Sequence, residues 1–289
     1  MSGMNAPRVV AIIGCGLMGG SLGKALEGLV EQRLAVRMPG IDIDPKVGAS
    51  GAVDAIVDLD DAIDMAECFI IATPVGDIPS VIRTVGERAR AGSLIMDVGS
   101  VKQPVVDAME RVGRRDIDLV AGHPMCGSEF AGIDAARGDL YAGADWVLVP
   151  VGEQAYRAME RASSFVRMVG AHPVAMTAPV HDAMVAGTSH LVRVVAGALA
   201  QMVIDRAARN EMEDADTPLI GGGMRDATRL ARGNVQMWAD IACANSAEIV
   251  AALDMCEDRI AAARACIASK DRSVIEHWMQ ATHDAAIQL

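Results

Sequence analysis

The chain has 289 residues, a length that corresponds to about two domains of ordinary size. It carries 26 basic and 38 acidic residues, a formal net charge of −12, so it lacks the basic surplus of a protein that binds nucleic-acid phosphates. Hydrophobic residues make up 52% of the chain and charged residues 22%, which excludes a disordered chain. Aromatic residues account for only 3%, and we therefore expect a core of aliphatic side chains and methionine.

The sequence indicates neither a metal site nor a membrane segment. The six cysteines include no C-x-x-C pair, and their spacing to histidine fits no zinc site, so we predict no metal and a reducing, cytoplasmic location. The most apolar stretch, residues 183–203, contains His190 and Arg193, and charged groups are costly in lipid. We expect a buried helix of a soluble protein there, His190 as a structural residue, and no membrane partner.

The N-terminal half alternates short apolar runs with helical patterns. The runs predicted as strands are Val9–Ile13, Cys68–Ala72, Leu94–Met96, Leu119–Ala121, Trp146–Val149 and Val174–Met176, with a further strand before residue 40. The predicted helices between them are Leu17–Leu29, Asp77–Arg90 and Pro104–Val112. This alternation predicts a parallel α/β sheet covered by helices.

The pattern changes after residue 180. No clear strand follows, and helices are predicted near 180–206, 225–232, 234–268 and 271–286. We place the domain boundary so that residues 1–178 form the α/β domain and residues 179–289 form an all-α domain. The second half is so apolar that a monomer would expose much of it, and we expect a homodimer that shares a helical core.

A glycine-rich motif follows the first predicted strand. Gly14, Gly16 and Gly19 form G-x-G-x-x-G between that strand and a predicted helix. The first glycine permits the tight turn, the second lets the backbone approach a pyrophosphate, and the third allows helix and strand to pack closely. Leu17 and Met18 open the helix, whose N-terminal N–H groups favour phosphates. The motif therefore predicts a Rossmann-type dinucleotide-binding domain.

An acidic residue indicates which dinucleotide binds. Asp42 lies 23 residues past Gly19, where such folds place a carboxylate on the ribose 2′-hydroxyl. Because a carboxylate repels a 2′-phosphate, we predict NAD rather than NADP, with Asp44 as the alternative residue for this role. Thr73 and Pro74 end a later strand, and we expect them to line the cofactor site.

Two further strand ends carry polar side chains. Ser100 follows one predicted strand in V-G-S-V-K, and His123 follows the next in G-H-P-M. A histidine beside a nicotinamide can take a proton from a hydroxyl group as hydride leaves the same carbon. The residues alone leave a structural role for His123 and a helix N-cap role for Ser100 as open alternatives.

Several motifs occur together in one order along the chain. They are G-C-G-L-M-G-G-S-L at 14–22, D-V-G-S-V-K at 97–102, H-P-M-C-G-S-E at 123–129, H-D at 181–182, S-H-L at 189–191 and R-D-A-T-R-L-A at 225–231. This set resembles the prephenate/arogenate dehydrogenase family of tyrosine biosynthesis, over about residues 8–240. The resemblance implies a Rossmann-type domain followed by an all-α dimerisation domain.

The resemblance also implies a reaction. Such enzymes oxidatively decarboxylate a cyclohexadiene with a ring carboxylate and a 4-hydroxyl group: hydride leaves C4 for NAD(P)⁺, and CO₂ leaves C1 as the ring becomes aromatic. His123 matches the proton acceptor, and Ser100 matches the serine that bonds both that histidine and the reacting hydroxyl. Arg229 matches the arginine that binds a substrate carboxylate, which a guanidinium does bidentately. Arg225 lies one helical turn earlier and could assist it.

Other residues are expected near the substrate. Arg193 stands where related sequences often carry a second histidine, and we expect it to bind a side-chain carboxylate; a salt bridge with Asp182 or Glu129 is the alternative. Asp182, Ser189 and Arg193 are expected on one helical face. The remaining residues predicted on the substrate side are Ser128, Glu129 and Trp238.

Three other functions remain open from the sequence. The first is a dehydrogenase for 4-amino-4-deoxyprephenate, for which departures from the family pattern at Cys126 and Arg193 leave room. The second is a β-hydroxyacid dehydrogenase or imine reductase, which commonly needs a lysine in the helical domain, whereas residues 180–268 contain none. The third is a nucleotide-sensing dimer, which has no need of Ser100, His123 and Arg229 together.

Overall fold

The computed structural model describes residues 7–41, 43–128, 130–153, 155–208 and 220–288. Contacts divide the chain into two compact units. The first unit comprises Met1–Val185 and Arg232–Asn245, and the second comprises Ala186–Ala231 and Ser246–Leu289.

The first unit is built on one eight-stranded sheet. Its strands are β1 (Val9–Ile13), β2 (Gln32–Arg37), β3 (Ala55–Asp58), β4 (Cys68–Ile71), β5 (Leu94–Asp97), β6 (Asp118–Pro124), β7 (Asp145–Val151) and β8 (His172–Ala175). They lie in the order β3-β2-β1-β4-β5-β6-β7-β8, and neighbouring strands are parallel except for β6 and β7. The order 3-2-1-4-5-6 is that of dinucleotide-binding sheets, which confirms the Rossmann-type prediction. The predicted parallel sheet is confirmed, with one departure: β7 pairs with β6 in the antiparallel direction.

The sheet is buried on both faces. Along β1, Val10 and Ile12 belong to one hydrophobic cluster, whereas Ala11 and Ile13 belong to another. Successive side chains of a strand point to opposite faces, so each face of the sheet has its own core. This double burial explains why the strands are continuous apolar runs rather than alternating ones.

Helices flank the sheet and make up the second unit. They are α1 (Leu17–Ala25), α2 (Leu59–Met65), α3 (Ile78–Arg88), α4 (Gln103–Val112), α5 (Ala155–Met168), α6 (Ala178–Val185), α7 (Leu191–Ala208), α8 (Gly222–Thr228), α9 (Val235–Ala244), α10 (Ser246–Ala268) and α11 (Arg272–Ile287). Helix α3 shows the packing principle, because Ile78, Val81, Ile82 and Val85 recur at helical spacing and are all buried. The predicted all-α second half is confirmed.

The sequence patterns did not indicate β3, α2 or α5. Strand β3 has only four residues, and Ala55, Ile56 and Val57 are half-buried at the edge of the sheet, so its apolar signal is weak. The predicted helix 234–268 is interrupted at Asn245, which separates α9 from α10. The Asn245 side chain donates a hydrogen bond to the backbone carbonyl of Asp182 at 2.9 Å.

One described helical run, Ala178–Arg206, is long and apolar enough to cross a membrane by length and composition. Only 22% of its most apolar window is buried within this chain, so the prediction of a buried helix is wrong for a single protomer. The run also contains a π-helical turn, Ala186–His190, whose spacing differs from that of an α-helix. Asp182 is buried, Ser189 is exposed and Arg193 is half-buried, and their predicted shared face stays a prediction.

Candidate active site

The glycine-rich loop joins β1 to α1, and its shape requires glycine. Gly14 has φ +91°, and a Cβ there would lie 2.6 Å from the carbonyl oxygen of Ala72. A Cβ on Gly19 would lie 2.0 Å from the carbonyl oxygen of Gly14. A Cβ on Gly16 would meet no atom within 4 Å, so this glycine faces open space. The loop is therefore closed against the sheet and open on the side from which a pyrophosphate would approach.

The first turn of α1 completes this cradle. Leu17 and Met18 are half-buried and pack against the core, and the Tyr141 hydroxyl donates to the Met18 carbonyl at 2.7 Å. Gly16 precedes the helix and supplies no side-chain cap, so the first N–H groups remain available to an anion. These residues fit the phosphates of a dinucleotide.

The neighbouring strand end supplies a polar group. Thr73 follows β4 and is buried, and its Oγ1 has no hydrogen-bond partner among the described residues. Buried hydroxyl groups are normally paired, so this atom suits a polar group of a ligand. Pro74 next to it is exposed. The Asp240 carboxylate of α9 also approaches this loop, 3.7–3.8 Å from the position of a Cβ on Gly76, and the sequence did not indicate it.

The residues predicted at the ribose end have different outcomes. Asp42 lies outside the described residues. The Asp44 side chain accepts a hydrogen bond from the Lys46 backbone N–H at 2.8 Å and caps the short 3₁₀ turn that follows. The Lys46 ammonium forms an ion pair with Asp134, which reduces its positive charge as seen by a ligand.

His123 lies at the carboxyl end of β6 and is half-buried. Its Nδ1 is 2.7 Å from Nε2 of His181, and the two rings meet edge to face with centroids 5.0 Å apart. The Nδ1 of His181 is in turn 2.7 Å from Oδ1 of Asp182. His181 and Asp182 are both buried. We call this linear arrangement the His–His–Asp chain, and the sequence analysis assigned no role to its middle member.

Asp182 also caps helix α4 from outside. Its Oδ1 accepts the Lys102 backbone N–H and its Oδ2 accepts the Gln103 backbone N–H, each at 2.8 Å. Burial disfavours the charged carboxylate, but hydrogen bonds from His181 and from these N–H groups leave the pKa of Asp182 below its ordinary value. Both oxygens are thus already bonded within the protein, and direct substrate contact by Asp182 does not fit this geometry. The alternative of Ser100 as N-cap is wrong, since Lys102 holds that position.

A buried ion pair links the carboxyl ends of β5 and β6 next to His123. The ammonium of Lys102 is fully buried, lies 2.5 Å from Oδ2 of Asp97, and donates to the carbonyl of Gly122 at 2.6 Å. The Asp97 carboxylate also accepts the backbone N–H groups of Gly99 and Gly122, each at 2.8 Å. Burial lowers the pKa of Lys102, and Asp97 opposes that effect. The local signal for this pair was that both charged residues, Asp97 and Lys102, lie in the short segment D-V-G-S-V-K at the end of a buried strand. This signal did not enter the prediction.

Ser100 and His123 follow neighbouring parallel strands. Ser100 is half-buried in the segment between β5 and α4, and β5 pairs in parallel with β6, which carries His123. The glycine loop and Thr73 follow β1 and β4, which continue the same parallel set. The carboxyl ends of parallel strands share one edge of a sheet, so this edge carries the four predicted features.

The loop after β6 borders a surface recess. Ser128 is exposed, and its Oγ accepts the Phe130 backbone N–H at 3.2 Å. With Phe130, Asp134 and Arg137 it lines a cavity of about 560 Å³. Glu129 lies outside the described residues. Burial raises the pKa of the Cys126 thiol to about 11, so this cysteine is not a reactive thiolate at neutral pH.

The remaining predicted site residues lie on helices. In the second unit, Arg193 is half-buried on α7, and Arg225 and Arg229 are exposed on α8 and on the 3₁₀ turn Arg229–Arg232. Trp238 is half-buried on α9 in the first unit. Within the described ranges, no group of three or more acidic, histidine or cysteine side chains could hold a metal ion.

Two family models match the chain. The model for the nucleotide-binding domain of prephenate dehydrogenase matches residues 28–175, and the model for the dimerization domain of prephenate dehydrogenase matches residues 177–281. The chain belongs to the prephenate dehydrogenase family. The resemblance inferred from the six motifs is therefore confirmed.

The individual proteins to which this chain is similar are consistent with membership of the prephenate dehydrogenase family. It is 32% identical to a prephenate dehydrogenase of Bacillus subtilis over 258 residues, which cover 85% of this chain and 66% of that protein. It is 27% identical to a cyclohexadienyl dehydrogenase of Zymomonas mobilis over 283 residues, 96% of this chain and 94% of that one. A crystal structure of an A. aeolicus prephenate dehydrogenase with hydroxyphenyl propionate and NAD⁺ has the same fold, with a TM-score of 0.85, 23% identity, and coverage of 97% and 98%.

The chain thus spans slightly less than two thirds of the Bacillus relative and nearly all of the Zymomonas one. As a member of the prephenate dehydrogenase family it is a dehydrogenase with a nucleotide-binding domain and a dimerization domain.

Proposed function

We propose that the protein catalyses the NAD-dependent oxidative decarboxylation of prephenate, arogenate or both, giving 4-hydroxyphenylpyruvate or tyrosine. The observation that carries this proposal is His123, held by the His–His–Asp chain at the sheet edge that also carries the glycine-rich loop. A general base beside a dinucleotide cradle is what hydride removal from a carbinol carbon requires.

The residues of this edge divide the chemistry between them. When bound, NAD⁺ accepts hydride from ring C4. His123 accepts the proton of the 4-hydroxyl group, and Ser100, which can both donate and accept, holds that hydroxyl in place. Loss of CO₂ from C1 then makes the ring aromatic, which drives the reaction and needs no metal or covalent intermediate.

The cofactor residues follow from the cradle. The backbone at Gly14, Gly16, Gly19 and the first α1 residues Leu17 and Met18 holds the pyrophosphate. Thr73 and Pro74 border the nicotinamide side. Asp42 bonds the ribose 2′-hydroxyl and disfavours NADP, and the pairing of Lys46 with Asp134 acts in the same direction.

Substrate binding uses the helical residues. Arg229 binds the ring carboxylate bidentately with help from Arg225, and Arg193 binds the side-chain carboxylate. The supporting residues are Ser128, Glu129, Ser189 and Trp238. Residues 1–178 bind the dinucleotide, and residues 179–289 bind substrate and form the homodimer. The enzyme acts in the cytoplasm.

The direct test is NADH formation at 340 nm with prephenate, arogenate and 4-amino-4-deoxyprephenate offered separately, each with NAD and then NADP. We expect turnover of prephenate or arogenate with NAD. Turnover of 4-amino-4-deoxyprephenate alone would overturn the proposed substrates and identify the 4-amino compound as the substrate. Measurable NAD binding without turnover of any of the three would overturn the proposal in favour of a sensor or another substrate.

A further inference from the structure

The His–His–Asp chain places two buried side chains, His181 and Asp182, behind the half-buried His123. His123 Nδ1 lies 2.7 Å from His181 Nε2, and His181 Nδ1 lies 2.7 Å from Asp182 Oδ1. His181 is 1% exposed and Asp182 is 3% exposed, so neither reaches open solvent. Their contact with the reaction must therefore pass through His123.

The partners of Asp182 set the direction of the hydrogen bonds. Its oxygens accept two backbone N–H groups, from Lys102 and Gln103, so the carboxylate acts as an acceptor throughout. His181 Nδ1 must then be the donor to Asp182, and a neutral imidazole with a proton on Nδ1 accepts at Nε2. His123 Nδ1 must donate to that Nε2. The unprotonated Nε2 of His123 is left as the base.

We propose that His181 and Asp182 are positioning residues that hold His123 in the tautomer with a proton on Nδ1 and a basic Nε2. The inference rests on the proposed function, because it assigns His123 as the base. As the substrate hydroxyl proton binds Nε2, His123 becomes an imidazolium. Its Nδ1–H points to the chain that ends in the Asp182 carboxylate, which stabilises the positive charge.

Both ends of the chain are anchored to the same residue. The backbone N–H of Lys102 holds Asp182, and the Lys102 ammonium holds the carbonyl of Gly122, which directly precedes His123. The Asn245 side-chain amide also donates a hydrogen bond to the backbone carbonyl of Asp182. These contacts pre-orient the ring of His123 before substrate arrives, so the stabilisation costs no reorganisation during the reaction.

Substitution His181→Phe tests the proposal, since it keeps a planar aromatic ring at this position and removes both nitrogens. We expect kcat to fall about 10- to 100-fold, the usual effect of losing a residue that orients another, with KM for substrate and Kd for NAD within about twofold of wild type. His181→Gln retains polar atoms and should recover part of kcat. The exposed His172→Phe is the matched control and should change neither constant.

The pH profile of kcat separates positioning from mere packing. The titratable groups that the described hydrogen bonds link to His123 are His181 and, through it, Asp182 from α6. The Lys102–Asp97 ion pair bonds the carbonyl and the N–H of Gly122, which precedes His123. Loss of the chain removes an acceptor that favours the imidazolium, so the pKa of His123 should fall. The acid limb of the profile should then move to lower pH as the plateau falls. A drop in thermal stability with an unchanged plateau and profile would assign His181 to packing alone and overturn the proposal.

A second measurement does not depend on turnover. In ¹⁵N-histidine-labelled protein, ring-nitrogen spectra assigned with His123→Asn should show His123 protonated on Nδ1 and not on Nε2 in the neutral form. The opposite tautomer would overturn the proposal even in an active enzyme. Absence of activity in the wild type, together with the expected tautomer, would instead count against the proposed reaction and leave the hydrogen-bond order intact.

Discussion

The sheet edge and the C-terminal helices differ in which side chains they bury: the edge buries charged side chains, whereas the helices expose large apolar ones. At the edge, the charged side chains of Asp97, Lys102 and Asp182 are buried, and each is bonded within the same chain. On the second unit, large apolar side chains are exposed: Val192, Met202, Ile204, Val250, Met255, Ile260 and Ile267. The edge is therefore preorganised within one protomer, whereas the helical unit exposes apolar side chains in the region that the dimerization-domain model of the family matches.

The largest expected effect comes from removing the base. His123→Asn leaves no group to accept the hydroxyl proton, and kcat should fall by about 10²- to 10⁴-fold, the usual contribution of general base catalysis. NAD affinity, measured by quenching of tryptophan fluorescence, should stay unchanged because the glycine loop is untouched. A variant with near-normal kcat would remove His123 from the mechanism.

The buried ion pair should dominate stability at the edge. Lys102→Met leaves the Asp97 carboxylate buried without its partner, which costs about 3–5 kcal/mol in unfolding free energy. Urea unfolding measures this loss. The exposed pair of Arg8 with Glu31 is the control, and Arg8→Ala should hardly move the midpoint. Equal losses in the two variants would contradict the importance of burial.

The helical unit should affect substrate binding more than stability. Arg229→Ala removes a charge-assisted hydrogen bond worth about 1.5–3 kcal/mol, and KM for substrate should rise accordingly. Steady-state kinetics at saturating NAD measure it. Arg232→Ala changes an exposed arginine in the same 3₁₀ turn and serves as control. An unchanged KM in the Arg229 variant would reject its role with the carboxylate.

The smallest expected effect concerns the choice of cofactor. Asp42→Ser removes the charge that disfavours a 2′-phosphate, and the NAD/NADP ratio of kcat/KM should fall by about tenfold or less, the effect of a single charge–charge interaction of about 1 kcal/mol. Asp44→Ser is the comparison, because the Asp44 side chain caps the adjacent turn. A shift only in the Asp44 variant would transfer the role to that residue.

Local patterns were enough to predict every strand except β3, and they also predicted the glycine loop. Val9–Ile13 is apolar on both faces, and its bounds agree with β1 in the structure. The direction of β7 could not be predicted in this way, because an apolar run has the same pattern in either direction. Among the described residues between β6 and β7, the structure shows one short 3₁₀ turn, Ile133–Ala135, and no α-helix of the kind that a parallel crossover normally uses.

The candidate site was predictable only in part, for a related reason. Ser100 and His123 follow from strand ends, which the sequence marks locally. The His–His–Asp chain joins residues 58 positions apart, and the cap on α4 joins residues 80 apart. Local spacing does not indicate contacts between residues so far apart in sequence. Asp182 was therefore predicted to contact the substrate, whereas the structure places it behind His123.

Asp182 ties two properties of the enzyme to one carboxylate. It caps the first turn of α4, on which folding depends, and it ends the chain that orients His123, on which rate depends. Variants selected for heat tolerance at this helix start would therefore also change turnover, and variants selected for turnover there would change melting temperature. In laboratory evolution of this protein, the two traits would be inherited together at this position.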